Sequence, residues 1–297
     1  MERGYFEPRE LKAALAALGE HPAAAIVAGG TDLVVAHRSG KKRLADEVLA
    51  IHRLKELEGI EPQTSGGLRI GALVTHAELE ASSALRETWS AVPDASALVG
   101  SPATRNMGTI AGNICNASPA MELGSPLLVF DASVELACVS GTRRVSFAEF
   151  VTGPGQTARR PDEMLTAVWL PPVPPGVRTV SAYLRLEYRQ AMEIAVVGAA
   201  VALRIAKDGA CEEARIGLTA VAPTCVRALE GEAVLKGQRI SPDLLERAAV
   251  AAAGSARPID DVRAPAEYRQ AMVPVIVRQA LELALKRSGQ TATGGRT

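Results

Sequence analysis

Apolar and polar positions change period several times along this chain, and each change marks an element. Leu11, Ala14, Leu15 and Leu18 recur at helical spacing between Pro8 and Gly19 and predict a small amphipathic helix. It leads into Ala23-Ala24-Ala25-Ile26-Val27, an apolar run cut off by Gly29-Gly30 and so read as a buried strand. Leu33-Val34-Val35-Ala36 then opens a helix over the glycines. Residues 46–51 and 67–74 read as strands, with a short segment over 55–60 between them. Thr75 and Glu78 have the spacing of a capping box for a further helix, and 89–99 predicts another amphipathic one.

The second half follows the same logic. Residues 120–130 read as a helix or turn, 134–139 and 143–145 as a hairpin around Ser140-Gly141, and 163–170 as a strand. The proline-rich stretch Pro171-Pro172-Val173-Pro174-Pro175-Gly176 marks a domain boundary. Beyond it, 179–189 alternates as a strand with Tyr183 and Arg185 on one face. An apolar strand over 196–205, a turn at 207–210 and a return strand over 213–221 predict an antiparallel meander. Three helices follow, at 225–235, at 241–252 with Ser241-Pro242 as cap and first turn, and at 266–287. Residues 291–297 are expected to form a flexible tail, and no internal repeat is evident.

Composition narrows the function more than the fold. Two domains fit within 297 residues, and 33 Lys and Arg against 33 Asp and Glu leave no global field for nucleic acid or an anionic membrane. The N-terminal residues carry charges where a signal peptide needs an apolar core, and no run reaches the ~18 apolar residues of a spanning helix. The longest candidate, 194–206, is interrupted by Gly198 and Arg204, so a soluble, cytoplasmic protein with no membrane span is expected. Cys115, Cys138, Cys211 and Cys225 form no CxxC pair, and His21, His37, His52 and His76 form no HxH or HExxH set. The chain is therefore expected to hold no metal or iron–sulfur cluster of its own. Nor does the sequence show an activated Ser–His or Cys–His pair or paired catalytic carboxylates, so chemistry would have to come from a bound cofactor.

Two glycine-rich stretches supply the candidate site, Ala28-Gly29-Gly30-Thr31-Asp32-Leu33 and Thr109-Ile110-Ala111-Gly112-Asn113. Glycine adopts positive φ at little cost, so a strand ending at Gly-Gly can turn several unpaired N–H groups to one side as an anion cradle. The second stretch lies within Gly100 to Pro119, dense in small, hydroxyl and amide side chains that let backbone approach a ligand closely. Either stretch alone is also an ordinary turn. Gly153-Pro154-Gly155-Gln156-Thr157-Ala158 matches the letters of a dinucleotide fingerprint, but Pro154 breaks it and the segment reads as a loop. Asn116-Ala117-Ser118 matches a glycosylation acceptor, which carries no meaning in an unsecreted chain and is disfavoured by Pro119.

As a set, AGGTDL, SPATRNMGTIAGNICNASPA and YLRLEYRQAMEIAVVG resemble the FAD-binding subunit of the molybdenum hydroxylases. That family includes the carbon monoxide dehydrogenase medium subunit, the 4-hydroxybenzoyl-CoA reductase β subunit and the xanthine dehydrogenase flavin domain, and the resemblance covers almost the whole chain. It implies an α+β fold: a two-subdomain FAD-binding fold of the PCMH (vanillyl-alcohol oxidase-like) type, then a C-terminal domain with an antiparallel sheet and helices. The expected domains are 1–175, with subdomains of about 1–55 and 56–175, and 176–290.

The resemblance also implies the site. FAD would be held by Ala28, Gly29, Gly30, Thr31, Asp32 and Leu33, and by Ser101, Gly108, Thr109, Ile110, Ala111, Gly112, Asn113 and Ser118. The two loops would wrap the pyrophosphate. Glu122, Leu165, Tyr183 and Arg185 would lie against the flavin or ribityl region, Arg185 as a cation beside the ring. Departures from the family pattern are Ala111 for a glycine, Glu122 and Glu193 for aspartates, and Arg185 for a lysine. The implied role is a flavin-dependent oxidoreductase subunit that takes electrons from [2Fe-2S] clusters on a small partner subunit. A large partner subunit would carry the molybdenum cofactor, within a dimer of heterotrimers that passes electrons to an external acceptor. The alternatives are a stand-alone flavin-dependent reductase, a scaffold with a decayed flavin site, and an oxidase with covalent flavin.

Overall fold

The computed structural model describes residues 4–173, 178–189, 191–206 and 208–289. The fold is of the expected α+β class and divides into two compact units that interleave along the chain. The first takes residues up to 78, then 102–117 and 131–172; the second takes 79–101, 118–130 and those from 173 onward.

In the first unit, β1 (Gly4–Phe6), β2 (Ala25–Val27) and β3 (Glu47–Ala50) form a parallel sheet in the order β1-β3-β2. Parallel neighbours need crossovers, and the helices Leu11–Glu20 and Leu33–Arg38 stand between successive strands of the chain. The first of these buries Ala14 and Leu18, two of the residues whose spacing predicts it. β1 escapes sequence reading because three residues show no period.

A five-stranded sheet completes this unit. It contains β4 (Ile60–Pro62), β5 (Leu68–Gly71), β6 (Ser133–Cys138) and β7 (Gly141–Ser146). After β8 (Val151–Gly153) and β9 (Gln156–Thr157) comes β10 (Met164–Leu170), and the order is β4-β5-β10-β6-β7 with every pairing antiparallel. β8 and β9 make a small hairpin where sequence reading expects a loop; Gly155, at φ 69°, supplies the positive φ its turn requires. β10 is central and nearly all buried. Each of its large apolar side chains contributes about 1.5–3 kcal/mol by leaving water.

In the second unit, β11 (Arg178–Leu186), β12 (Val197–Ile205), β13 (Cys211–Thr219) and β14 (Val226–Arg227) form the predicted antiparallel meander, in chain order. The helices Leu229–Leu235, Pro242–Ala252 and Ala266–Arg287 close a core with it: Val201, Leu203, Ile216 and Leu218 from the sheet, Leu245, Ala248, Val277 and Leu281 from the helices. Ser241 caps its helix as expected, accepting from Leu244 N at 3.2 Å. The helix expected from 225 starts only at Leu229, because Val226 and Arg227 pair with Leu218 and Gly217. Tertiary pairing overrides local propensity there.

Asp94, on the helix Ala91–Ala97, ties this unit together. Its carboxylate accepts from Tyr183 N at 3.1 Å and from Arg287 Nη1 and Nη2 at 2.7 and 2.9 Å. Arg287 also donates to Ser181 O at 2.7 Å, which fixes the end of the last helix against β11. Among the described residues no helix is long and apolar enough to cross a membrane.

Candidate functional site

The first glycine loop leaves the C-terminal end of β2, and Gly30 takes φ 70°, a conformation that L side chains strain to adopt. Gly30 O and Asp32 O accept from Val34 N at 3.0 Å and Ala36 N at 2.8 Å as the next helix starts. Among the described residues, the N–H groups of Gly29, Gly30, Thr31 and Asp32 donate to no internal acceptor. Successive free amides around a left-handed residue form an anion-binding concavity. Asp32 makes no side-chain cap bond, and burial raises its carboxyl above the usual range.

The structure brings the second stretch against the first. A Cβ on Gly29 would lie 1.7 Å from Met107 O, and one on Gly108 would lie 3.3 Å from both Thr31 Oγ1 and the His76 ring. Glycine is required at position 29, and at position 108 a side chain would be tightly crowded. The stretch is hung from the residues that follow β5: His76 N donates to Gly108 O at 3.0 Å, Ile110 N to Val74 O at 2.9 Å and Ala111 N to Ala72 O at 3.3 Å.

Sequence reading takes the second stretch as a loop, yet Ile110–Asn116 is helical. Thr109 caps it, accepting from Gly112 N at 3.1 Å through Oγ1 and from Asn113 N at 3.0 Å through its carbonyl. Gly112 and Asn113 are poor helix formers and hide the turn. As a result the amides of residues 110 to 113 are already bonded, in contrast to those of the first loop. Among the described residues the Asn113 side-chain oxygen is buried with no hydrogen-bond partner. The first loop offers amides, and the second offers shape.

His76 belongs to this junction, and nothing in its sequence context beyond its place after Thr75 marks it. Burial, together with the charge of Arg105, pushes its pKa down to about 4, so the imidazole is neutral near pH 7. The neighbouring Thr75 and Glu78 form the predicted capping box, with Thr75 N donating to Glu78 Oε2 at 2.7 Å and Glu78 N to Thr75 Oγ1 at 3.3 Å. Leu165 lies in β10, 3% exposed and paired with Leu136 beside a bulge, as part of the sheet core.

In the second unit Tyr183 and Arg185 share one face of β11, as their spacing predicts. The Arg185 side chain is 1% exposed; its Nη1 donates to Glu122 Oε1 at 2.6 Å and its Nε to Glu187 Oε2 at 2.7 Å. Burial opposes the guanidinium charge, but the two carboxylates outweigh it and raise its pKa. The cation expected beside the flavin is thus held between the carboxylates of Glu122 and Glu187. Tyr183 is fully buried. Burial and the charge of Glu122 push its pKa well up. Gly198 is obligatory beside it, since a Cβ there would stand 2.7 Å from the Tyr183 hydroxyl.

Of the remaining expected residues, Ser118 Oγ accepts from Ala120 N at 3.2 Å, and Ser101 follows Gly100, which has φ 53°. Glu193 accepts from Ile194 N at 3.1 Å and pairs with Arg189 at 3.4 Å. Cys225 packs against Gly124, its thiol pushed up to about 12 by burial, which makes it inert. Among the described residues no group of three or more His, Cys, Asp or Glu is placed to hold a metal ion.

Comparison with known proteins bears on this site. The FAD binding domain in molybdopterin dehydrogenase matches residues 1–173, and the CO dehydrogenase flavoprotein C-terminal domain matches residues 182–284. The chain is 30% identical to the xanthine dehydrogenase FAD-binding subunit of Escherichia coli, over 96% of its own length and 97% of the relative's. It is 34% identical to the carbon monoxide dehydrogenase medium chain of Afipia carboxidovorans, again over 96% and 97%. Its structure is similar to a chain of carbon monoxide dehydrogenase from Hydrogenophaga pseudoflava, with a TM-score of 0.89, 29% identity, and 97% of this chain and 98% of that one covered.

Proposed function

The chain belongs to the family of FAD-binding subunits of the xanthine and carbon monoxide dehydrogenases, and from that premise we propose how its residues hold the cofactor and where its electrons go. The diphosphate of FAD binds the amides of Gly29, Gly30, Thr31 and Asp32, framed by Ala28 and Leu33. Gly108, Thr109, Ile110, Ala111, Gly112 and Asn113 form the opposite wall. Ser101, Ser118, Glu122, Leu165, Tyr183 and Arg185 complete the contacts to the rest of the dinucleotide. In this reading Arg185 orients Glu122 and does not offer a bare positive charge.

Bound FAD would supply the ability to accept and release electrons. The protein contributes orientation, exclusion of water and hydrogen bonds. Electrons arrive from [2Fe-2S] clusters on a small partner subunit, after substrate oxidation at a molybdenum cofactor on a large one. They leave to an external acceptor, from a dimer of heterotrimers in the cytoplasm. Residues 1–175 and 176–290 are the corresponding modules.

The observation that carries this reading is the row of unbonded amides at residues 29 to 32, closed off by the backbone of residues 107 and 108. Purification with the natural partners tests it. Flavin and iron–sulfur absorption together with molybdenum by metal analysis is the expected result. A chain that takes up no FAD, alone or in its complex, overturns it.

A further inference from the structure

The helix that follows the first glycine loop, Leu33–Arg38, completely buries none of its residues, and the turn after it is basic. From residue 33 to residue 45 there is no acidic side chain, whereas Arg38, Lys41, Lys42 and Arg43 are cations in a chain whose net charge is zero. All four are exposed. Arg43 pairs with Asp46 at 3.0 Å; among the described residues Arg38, Lys41 and Lys42 make no ion pair. The turn that carries them is fixed by its own backbone. Ser39 N donates to Val35 O at 3.0 Å, Gly40 N to His37 O at 3.1 Å and Lys42 N to Ala36 O at 3.1 Å. Leu44 N donates to His37 Nδ1 at 3.2 Å, and Gly40 takes φ 74°. Like charges held on so short a turn repel one another, and an opposite charge relieves that repulsion. Val34 and Val35 are 39% and 63% exposed, and Arg38 follows them by four and three positions, on the same side of the helix. β-branched side chains have few rotamers to lose and the turn is already ordered, so covering this surface costs little conformational freedom.

We propose that Val34, Val35, Arg38, Lys41 and Lys42 form a docking surface for a partner subunit that presents Asp and Glu side chains around an apolar residue. This rests on the assembly reading above and is independent of how FAD is seated. The assembly supplies the need for a protein partner, and the unpaired cations set the sign of the surface it presents. A nucleic acid or an anionic bilayer would be met by a longer basic stripe, which a chain with equal numbers of cations and anions does not offer.

The test is dissociation of the purified complex on dilution, followed by sedimentation velocity at low and at high salt. Lys41→Glu/Lys42→Glu is expected to raise the dissociation constant about tenfold at low salt and to flatten its salt dependence, while the isolated chain keeps its wild-type Tm because both side chains are exposed. Val35→Ser is expected to weaken association about threefold at either salt concentration. Lys236→Glu/Arg239→Glu makes the same change in net charge at exposed positions elsewhere and is expected to leave association unchanged. Wild-type affinity and salt dependence in Lys41→Glu/Lys42→Glu overturn the proposal, as does an equal loss in Lys236→Glu/Arg239→Glu. It is also overturned if Lys41→Glu/Lys42→Glu abolishes binding to phosphatidylglycerol vesicles or to single-stranded DNA while the complex holds together as before. A wild-type chain that purifies with no partner subunit overturns the assembly reading itself.

Discussion

Arg185→Met is the most informative single perturbation of the second unit. The substitution removes a guanidinium whose side chain is 1% exposed and takes an ion-pair partner from two carboxylates, Glu122 at 10% and Glu187 at 23% side-chain exposure. Removing one partner of a buried ion pair costs about 3–5 kcal/mol, chiefly because the charge left behind is unpaired. At about 2–4 °C per kcal/mol for a unit of this size, the calorimetric Tm is expected to drop by about 6–20 °C. The partners are not equivalent. Glu187→Gln keeps the more buried Arg185–Glu122 pair and is expected to cost under about 1 kcal/mol, whereas Glu122→Gln removes the more buried acceptor and costs about 1.5–3 kcal/mol. The double variant Arg185→Met/Glu122→Gln should recover part of the loss, with a coupling energy above about 1 kcal/mol. An Arg185→Met variant that melts within 2 °C of wild type (roughly the effect of a surface change), or a coupling of zero, refutes the reasoning.

Other predictions concern the cradle. Gly29→Ala places a methyl group 1.7 Å from Met107 O and must part the two segments; purified protein is expected to lose FAD while its far-UV circular dichroism stays native, and full FAD content would refute this. Gly30→Val forces a β-branched residue to φ 70°, and Gly112→Val crowds Thr109 Oγ1 at 3.2 Å; both are expected to abolish flavin retention, measured as the ratio of flavin to protein absorbance. Acid lability is expected from His76, whose pKa falls from 6.5 in the unfolded chain to about 4 in the fold. The unfolded state therefore takes up a proton that the native state refuses. Stability falls as pH drops from about 6.5 to 4, by up to about 3 kcal/mol, and His76→Phe flattens that limb of a denaturant-midpoint profile.

Periodicity carries far where elements are long. The helix Ala266–Arg287 and the meander β11 to β13 are legible because many residues repeat one pattern. It fails for β1, which is three residues long, and for Ile110–Asn116, where Gly112 and Asn113 mask a helix that Thr109 nucleates. It fails again at Val226 and Arg227, which look helical until β13 is present to pair with them. The interleaving of the two units has no linear signature at all. Within the cradle, the glycines are legible because backbone freedom is a property of residue type. Which amides stay unbonded is not, since the acceptors that use up those of residues 110 and 111 come from Val74 and Ala72, far away in sequence. His76 and the charge balance around Arg185 belong to the same class, set by neighbours that only folding assembles.

The bond from Arg287 to Asp94 also governs how the gene can be handled. A purification handle attached beyond residue 289 leaves that contact alone, whereas trimming the chain back to residue 285 deletes the guanidinium and leaves the Asp94 carboxylate with only the Tyr183 amide among the donors described above. Truncations chosen to aid crystallisation should therefore stop short of Arg287, or they will loosen the strand that carries Tyr183.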